Sequence, residues 1–170
     1  MRLAVLISGR GSNLRSILES ERKGSLGKAI VSLIISDKQD AKGLKYSKEY
    51  NKKAVILESN SYNSREEYDN QLVKVLHEHE IDIIVLAGFM RILTPFFVNT
   101  FINRIVNIHP SLLPAFPGLN AQKQALNHGS KISGCTVHFA SEEVDNGPII
   151  LQRAVEISND DTEESYLRKF

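Results

Sequence analysis

The sequence predicts an α/β fold: a Rossmann-like, three-layer arrangement with a mostly parallel twisted sheet, helices on both faces and an antiparallel hairpin at one edge. Three observations predict it. Short apolar runs alternate with runs of helical period, and that alternation requires parallel strands joined by right-handed crossovers. Residues 81–87 are almost wholly apolar, as a central parallel strand covered on both faces must be. Late in the chain, residues 134–140 and 149–157 alternate in polarity around a polar loop, the pattern of an antiparallel pair.

The elements follow in order. Residues 3–7 read as a strand. Residues 14–21 read as a helix, because Leu14, Ile17 and Leu18 recur at helical spacing. Residues 29–35 make a second strand, residues 41–50 a second helix with Leu44 toward the sheet, and residues 54–57 a short third strand. The longer helix over 65–79 places Tyr68, Leu72, Val75 and Leu76 on one face. After the strand at 81–87, a helix starts near Pro95, a favoured first-turn position. Arg104-Ile105-Val106 leads a further strand into Asn107 and His109, and Pro110 stops it for want of an N–H. A helix over about 121–127 ends at Gly129. Residues 159–164 carry carboxylates suited to a helix start. The helix itself is expected to begin near Ser165, and the sequence stops at Phe170. One or two turns are marginal alone, so a single domain over 1–170 with a truncated C-terminal helix is expected.

Composition narrows the function. With 170 residues the chain can bury a real core. A net charge of +1 gives no general attraction to nucleic acid or membrane, so neither is expected as a partner. The one cysteine, Cys135, allows no internal disulfide and is expected to be a buried, inert thiol; this fits a reducing, cytoplasmic setting. The N-terminal apolar run breaks at Ser8-Gly9, too early for a signal sequence or a membrane span. His77 and His79 stand two apart on a helix and so do not face each other. His128 beside Gly129 reads as a helix-end histidine. No metal is predicted.

Four stretches carry chemistry. The central one is NIHPSLLPAFPG, residues 107–118. Asn107 and His109 are two apart on a strand and share a face, at a strand end where α/β sheets bind ligands. The amide can donate to a developing oxyanion and the imidazole can move a proton near neutral pH; a cap and a core filler are the plain alternative. The first loop, SGRGSNL over residues 8–14, offers glycines and a helix N-terminus to an anion. Leu14 stands where a dinucleotide fingerprint needs its third glycine, and Ser12 and Asn13 suit a terminal phosphomonoester. Asp37 follows the second strand where a ribose-binding acid would sit, which keeps a dinucleotide reading open. An N-cap role for Ser12 or Asn13 is the plain alternative there. The stretch 85–95 leaves the central strand with open backbone and apolar flanks, suited to a flat heterocycle. In the last stretch, Asp145-Asn146-Gly147 is strong turn chemistry; if Asp145 folds back toward His109, its charge favours the imidazolium.

Together these stretches resemble the folate-dependent formyltransferases, with motifs in the family's order from residue 1 to about 165. The resemblance implies Asn107, His109 and Asp145 as catalytic residues, with His138 bordering the site. It implies Gly11, Ser12 and Asn13 as the substrate-phosphate loop. Arg65, Leu86, Met90, Arg91, Ile92, Leu93, Val98, Asn107, Ala140, Ser141, Glu142 and Val144 are then expected to line a folate pocket. The implied donor is 10-formyltetrahydrofolate, used without a metal. The family's tRNA-formylating and hydrolytic branches carry an extra domain not found in this sequence. The expected acceptor is therefore the amine of 5'-phosphoribosylglycinamide, in purine synthesis, and the expected form is a monomer or homodimer. Still open are a nucleotide- or folate-binding module without turnover, a 10-formyltetrahydrofolate hydrolase and, third, a dehydrogenase.

Overall fold

The computed structural model describes residues 1–167 and Lys169. The chain divides into two compact units, Met1–Val106 and Asn107–Phe170.

The first unit holds β1 (Arg2–Ile7), α1 (Ser12–Arg22), β2 (Ile30–Ser36), α2 (Lys45–Glu49), β3 (Ala54–Ile56), α3 (Arg65–Glu78), β4 (Ile83–Leu86), α4 (Pro95–Thr100) and the start of β5 (Ile105–His109). Strand β1 pairs in parallel with β2 and β4, and β2 pairs in parallel with β3. Leu3 to Ile7 are all buried, which is why β1 reads as an unbroken apolar run. Helix α1 buries Leu14 and Leu18 against Val5, Ile7 and Val31 in the core of this unit. Helix α3 has a strong start. Ser64 Oγ accepts from Glu67 N at 3.1 Å, and Glu67 Oε2 accepts from Asn63 N at 2.9 Å. Tyr68, Leu72, Val75 and Leu76 form its buried face.

The second unit holds the rest of β5, then α5 (Ala121–Asn127), β6 (Ile132–Phe139), β7 (Ile149–Glu156) and α6 (Glu163–Leu167). Strands β6 and β7 pair antiparallel from Ile132 opposite Glu156 to His138 opposite Ile149. Ala125, Ile157 and Tyr166 form its core cluster, with Phe116 packed on them. Among the described residues the strand order is β3-β2-β1-β4-β5-β6-β7, seven strands with β6 and β7 as an antiparallel edge pair. The α/β class, the parallel strands and the edge hairpin are as the sequence predicts.

Four expectations need correction. The helix at 41–50 is shorter: a 3-10 turn, Lys42–Leu44, precedes α2. The cause is a close approach, since a Cβ on Gly43 would lie 2.9 Å from Gly11 Cα. Tyr46 and Ser47 are buried there, while Leu44 is half-buried. Cys135 is half-buried rather than buried. Strand β7 lacks the expected alternation: as an edge strand it is exposed along nearly its whole length. Helix α6 begins at Glu163, ahead of Ser165, and Arg168 and Phe170 lie outside the described residues.

Candidate active site

The site candidates of the second unit converge on Asp145. Strand β5 points Asn107 and His109 to one face, as the period of two requires. Asn107 Nδ2 donates to Asp145 Oδ1 at 3.3 Å and lies 3.1 Å from His138 Nε2. His109 Nδ1 lies 3.2 Å from Asp145 Oδ2. Gly118 N donates to the same Oδ2 at 2.8 Å. His138, on β6, lies with Nε2 3.7 Å from Asp145 Oδ1, an ion-pair distance rather than a hydrogen bond. Its Nδ1 meets the Phe139 carbonyl at 2.9 Å. With Nδ1–H donated there, Nε2 accepts from the Asn107 amide when the ring is neutral and turns a proton toward Asp145 when the ring is charged. His109 and His138 are 4% and 1% exposed, so these contacts work in a low-dielectric setting.

The backbone brings Asp145 to this place. Asp145 itself sits at φ 54, a left-handed conformation that aspartate tolerates. Gly147 follows so close to the strand that a Cβ would lie 1.7 Å from the Phe139 carbonyl oxygen. Only glycine allows that turn. The turn at Asp145-Asn146-Gly147 and the approach of Asp145 to His109 are therefore one arrangement.

Burial opposes the charge on Asp145. His138, the Gly118 N–H and His109 outweigh it and hold the carboxyl below the ordinary carboxylate value. His109 Nε2 meets the Phe116 carbonyl at 2.8 Å. Both ring nitrogens thus face acceptor oxygens, and both contacts are hydrogen bonds when the ring carries two protons. Phe116 holds that carbonyl in place from φ 54, a strained conformation for an aromatic residue. Its ring is fixed by the core cluster of the second unit and by the edge of His128, 5.7 Å away.

The 107–118 loop is strapped by residues that the sequence reading missed. Thr136 Oγ donates to the Ser111 carbonyl at 2.7 Å and accepts from Leu113 N and Gln152 Nε2, each at 3.0 Å. That saturates one hydroxyl. Gln152 Nε2 also donates to the Leu113 carbonyl at 2.9 Å, and Ser111 Oγ donates to the Ala115 carbonyl. A lone threonine in an alternating strand carries no local signal of this role, which depends on a loop about 25 residues away in sequence.

In the first unit, Gly11 is the N-cap of α1 at φ 75. A Cβ there would lie 2.5 Å from Gly43 Cα, so glycine is required twice over. Because Gly11 holds the cap position, Ser12 and Asn13 occupy the first turn, where N–H groups lack intrahelical partners. The cap role considered for Ser12 or Asn13 is thereby corrected. The segment after β4 is partly tied down. Met90 N donates to Ser8 Oγ at 2.9 Å, so its backbone is less open than the sequence suggests. Met90 and Ile92 are 66% and 61% exposed, Arg91 and Leu93 are half-buried, and Leu86 and Val98 are buried. Arg65 is exposed at the start of α3. In the second unit, Ala140 and Ser141 are half-buried, and Glu142 and Val144 are exposed. Asp37 is buried and lines a cleft of about 390 Å³ in the first unit, which includes none of the residues expected to hold the phosphate or the folate. Among the described residues no group of three or more His, Cys, Asp or Glu is placed to hold a metal, and no helix is long and apolar enough to cross a membrane.

Comparison with known proteins gives these groups a family. A family model described as formyl transferase matches residues 1–170. The trifunctional purine biosynthetic protein adenosine-3 of Drosophila melanogaster is 47% identical over 169 residues. That match takes 99% of this chain but only 12% of the relative's length. The phosphoribosylglycinamide formyltransferase of Escherichia coli (strain K12) is 42% identical over 164 residues, 96% of this chain and 77% of that protein. Glycinamide ribonucleotide transformylase 1 from Symbiobacterium toebii superposes with a TM-score of 0.96 at 47% identity, covering 99% of this chain and 79% of that one. Phosphoribosylglycinamide formyltransferase from Bacillus halodurans superposes at 0.95 with 43% identity, covering 99% and 87%. The match over the whole sequence, together with the likeness of the fold, establishes that this chain belongs to the formyl transferase family.

Proposed function

We propose that this chain transfers the formyl group of 10-formyltetrahydrofolate to the amine of 5'-phosphoribosylglycinamide, a step of purine synthesis. The observation that carries the reading is Asp145 gathering Asn107, His109 and His138 around one buried carboxylate. The names of the relatives at 42% and 47% identity support the choice of acceptor. The family match over residues 1–170 supports one formyltransferase domain.

The amine nitrogen attacks the formyl carbon, and the formyl oxygen gains the charge. His109 Nδ1–H donates to Asp145 Oδ2, and Nε2–H donates to the oxyanion, which takes the place of the Phe116 carbonyl. Asn107 turns one amide hydrogen to the same oxygen. A dry site makes both donors strong. The amine then loses a proton to the folate nitrogen that leaves, with His109 and Asp145 as the relay. Gly11, Ser12 and Asn13 hold the acceptor's phosphate at the N-terminus of α1. Arg65, Leu86, Met90, Arg91, Ile92, Leu93 and Val98, with Ala140, Ser141, Glu142 and Val144, hold the folate. The partners are small molecules rather than nucleic acid, the setting is cytoplasmic, and the form is a monomer or homodimer.

The test follows tetrahydrofolate and free formate, with and without the acceptor. Loss of the formyl group that depends on acceptor and yields no formate supports the transferase. Formate released without acceptor supports a hydrolase instead. Ligand binding in calorimetry with no turnover identifies a binding module.

A further inference from the structure

We propose that Tyr68 and Asp69, neighbours on α3, are positioning residues for the formyl donor, holding residues 91–94 at both ends and so setting where Arg91 presents its guanidinium. This rests on the reading of Arg91 as a folate contact.

Three contacts carry the inference, all within the first unit. The Arg91 guanidinium carbon lies 4.3 Å from the centroid of the Tyr68 ring, a cation–π contact. Asp69 Oδ2 accepts from both Thr94 N and Thr94 Oγ, each at 2.7 Å. Thr94 Oγ accepts in turn from Phe97 N at 3.3 Å, so the same hydroxyl caps α4. Adjacent helix residues point about 100° apart, so one turn of α3 reaches two separate points of one segment.

Packing alone does not explain these residues. Tyr68 and Asp69 are buried, and a buried carboxylate costs more than an apolar side chain unless something is gained. Its gain here is residues 91–94, which supply an N–H, an O–H and a cation near one carboxylate. Tyr68 is used through its ring alone. Its hydroxyl is buried without a partner among the described residues, while the edge-to-face ring of Tyr62, 5.4 Å away, braces it. Met90 N on Ser8 Oγ pins the segment just ahead of Arg91. Arg91 is therefore held over a rigid base while Ile92 beside it is exposed.

Steady-state kinetics on the full chain test this. Tyr68→Leu removes the ring and is expected to raise KM for 10-formyltetrahydrofolate by about 3- to 30-fold, the span of a cation–π contact. KM for the acceptor and kcat are expected to stay within about twofold, and Tyr68→Phe to match the parent. In the Arg91→Ala background, Tyr68→Leu is expected to add nothing. Equal rises in both KM values, a Phe variant that behaves like Leu, or additive effects would overturn the proposal. If Arg91→Ala raises donor KM but Tyr68→Leu does not, positioning fails and the folate reading of Arg91 stands. An unchanged donor KM in Arg91→Ala would overturn both. Should Tyr68→Leu fail to fold, the near-isosteric Asp69→Asn carries the same test, and a donor KM unchanged there overturns the proposal.

Discussion

At the residue scale, Asp145 meets four groups at once: the Asn107 amide, the Gly118 N–H and the two histidines. Asp145→Ala is expected to cut kcat/KM by about 10²–10³ or more, because it releases His109 and Asn107 together. Asn107→Ala, which deletes one proposed oxyanion donor, is expected to cost about 10²–10³. Circular dichroism should show both variants folded, and turnover near the parent's in either would remove that residue from the mechanism. The depressed pKa of Asp145 also has a sign. The folded value lies below the unfolded one, so the folded state binds fewer protons between them. The stability it contributes is complete above the ordinary carboxylate value, about pH 4, and is lost as pH falls through the lower folded value. Melting curves of the parent and Asp145→Asn should therefore differ most above that window and converge below it. Tyr68 gives a stability test of opposite direction. Its hydroxyl is buried and has no partner among the described residues, and burial, helped by Asp37, pushes its pKa up. Tyr68→Phe removes that hydroxyl and is expected to stabilise by about 1 kcal/mol. That is about 2–4 °C in Tm for a domain of this size.

At the element scale, the first loop is built on an approach between two glycines. Gly11→Ala would force a Cβ to 2.5 Å from Gly43 Cα at a φ of +75. The helix N-terminus must then shift, and with it the proposed phosphate site. The expected result is a rise of about tenfold or more in KM for the phosphorylated acceptor, from the loss of charge-assisted bonds, with donor KM little changed. Loss of both KM values together would show that the loop does not serve one substrate. The glycines of SGRGSNL are legible from sequence as a tight turn between a strand and a helix start. The partner Gly43 is not. It lies in a segment whose period reads as helix, and only the crowding with Gly11 makes it a 3-10 turn. Strand β7 departs because of its place in the sheet: at the edge, with β6 its neighbour on one side, it is exposed along nearly its whole length.

At the scale of the whole molecule, binding should stabilise the fold by mass action. Either the formyl donor's unreactive analogue or the acceptor, at about 100 times its Kd, is expected to add about 2.7 kcal/mol. A dinucleotide is expected to add nothing, and a rise in Tm with NAD would revive that reading. The chain spans 12% of the trifunctional insect relative and 77% of the Escherichia coli one, so the assay of these 170 residues measures what this much of the family fold can do.

The sequence by itself determined the α/β class, because hydrophobic period is a local property that any fold of these residues must respect. It placed Asn107 and His109 on one face for the same reason, and its motifs carried the family. The tertiary structure decided what period cannot encode. It set Asp145 against two histidines, put His138 Nε2 beside the Asn107 amide, and let Thr136 strap a distant loop. It also put Asp69, at the border of an apolar helix face, under Thr94. These are contacts between residues far apart in the chain, and their geometry exists only once the backbone between them is folded.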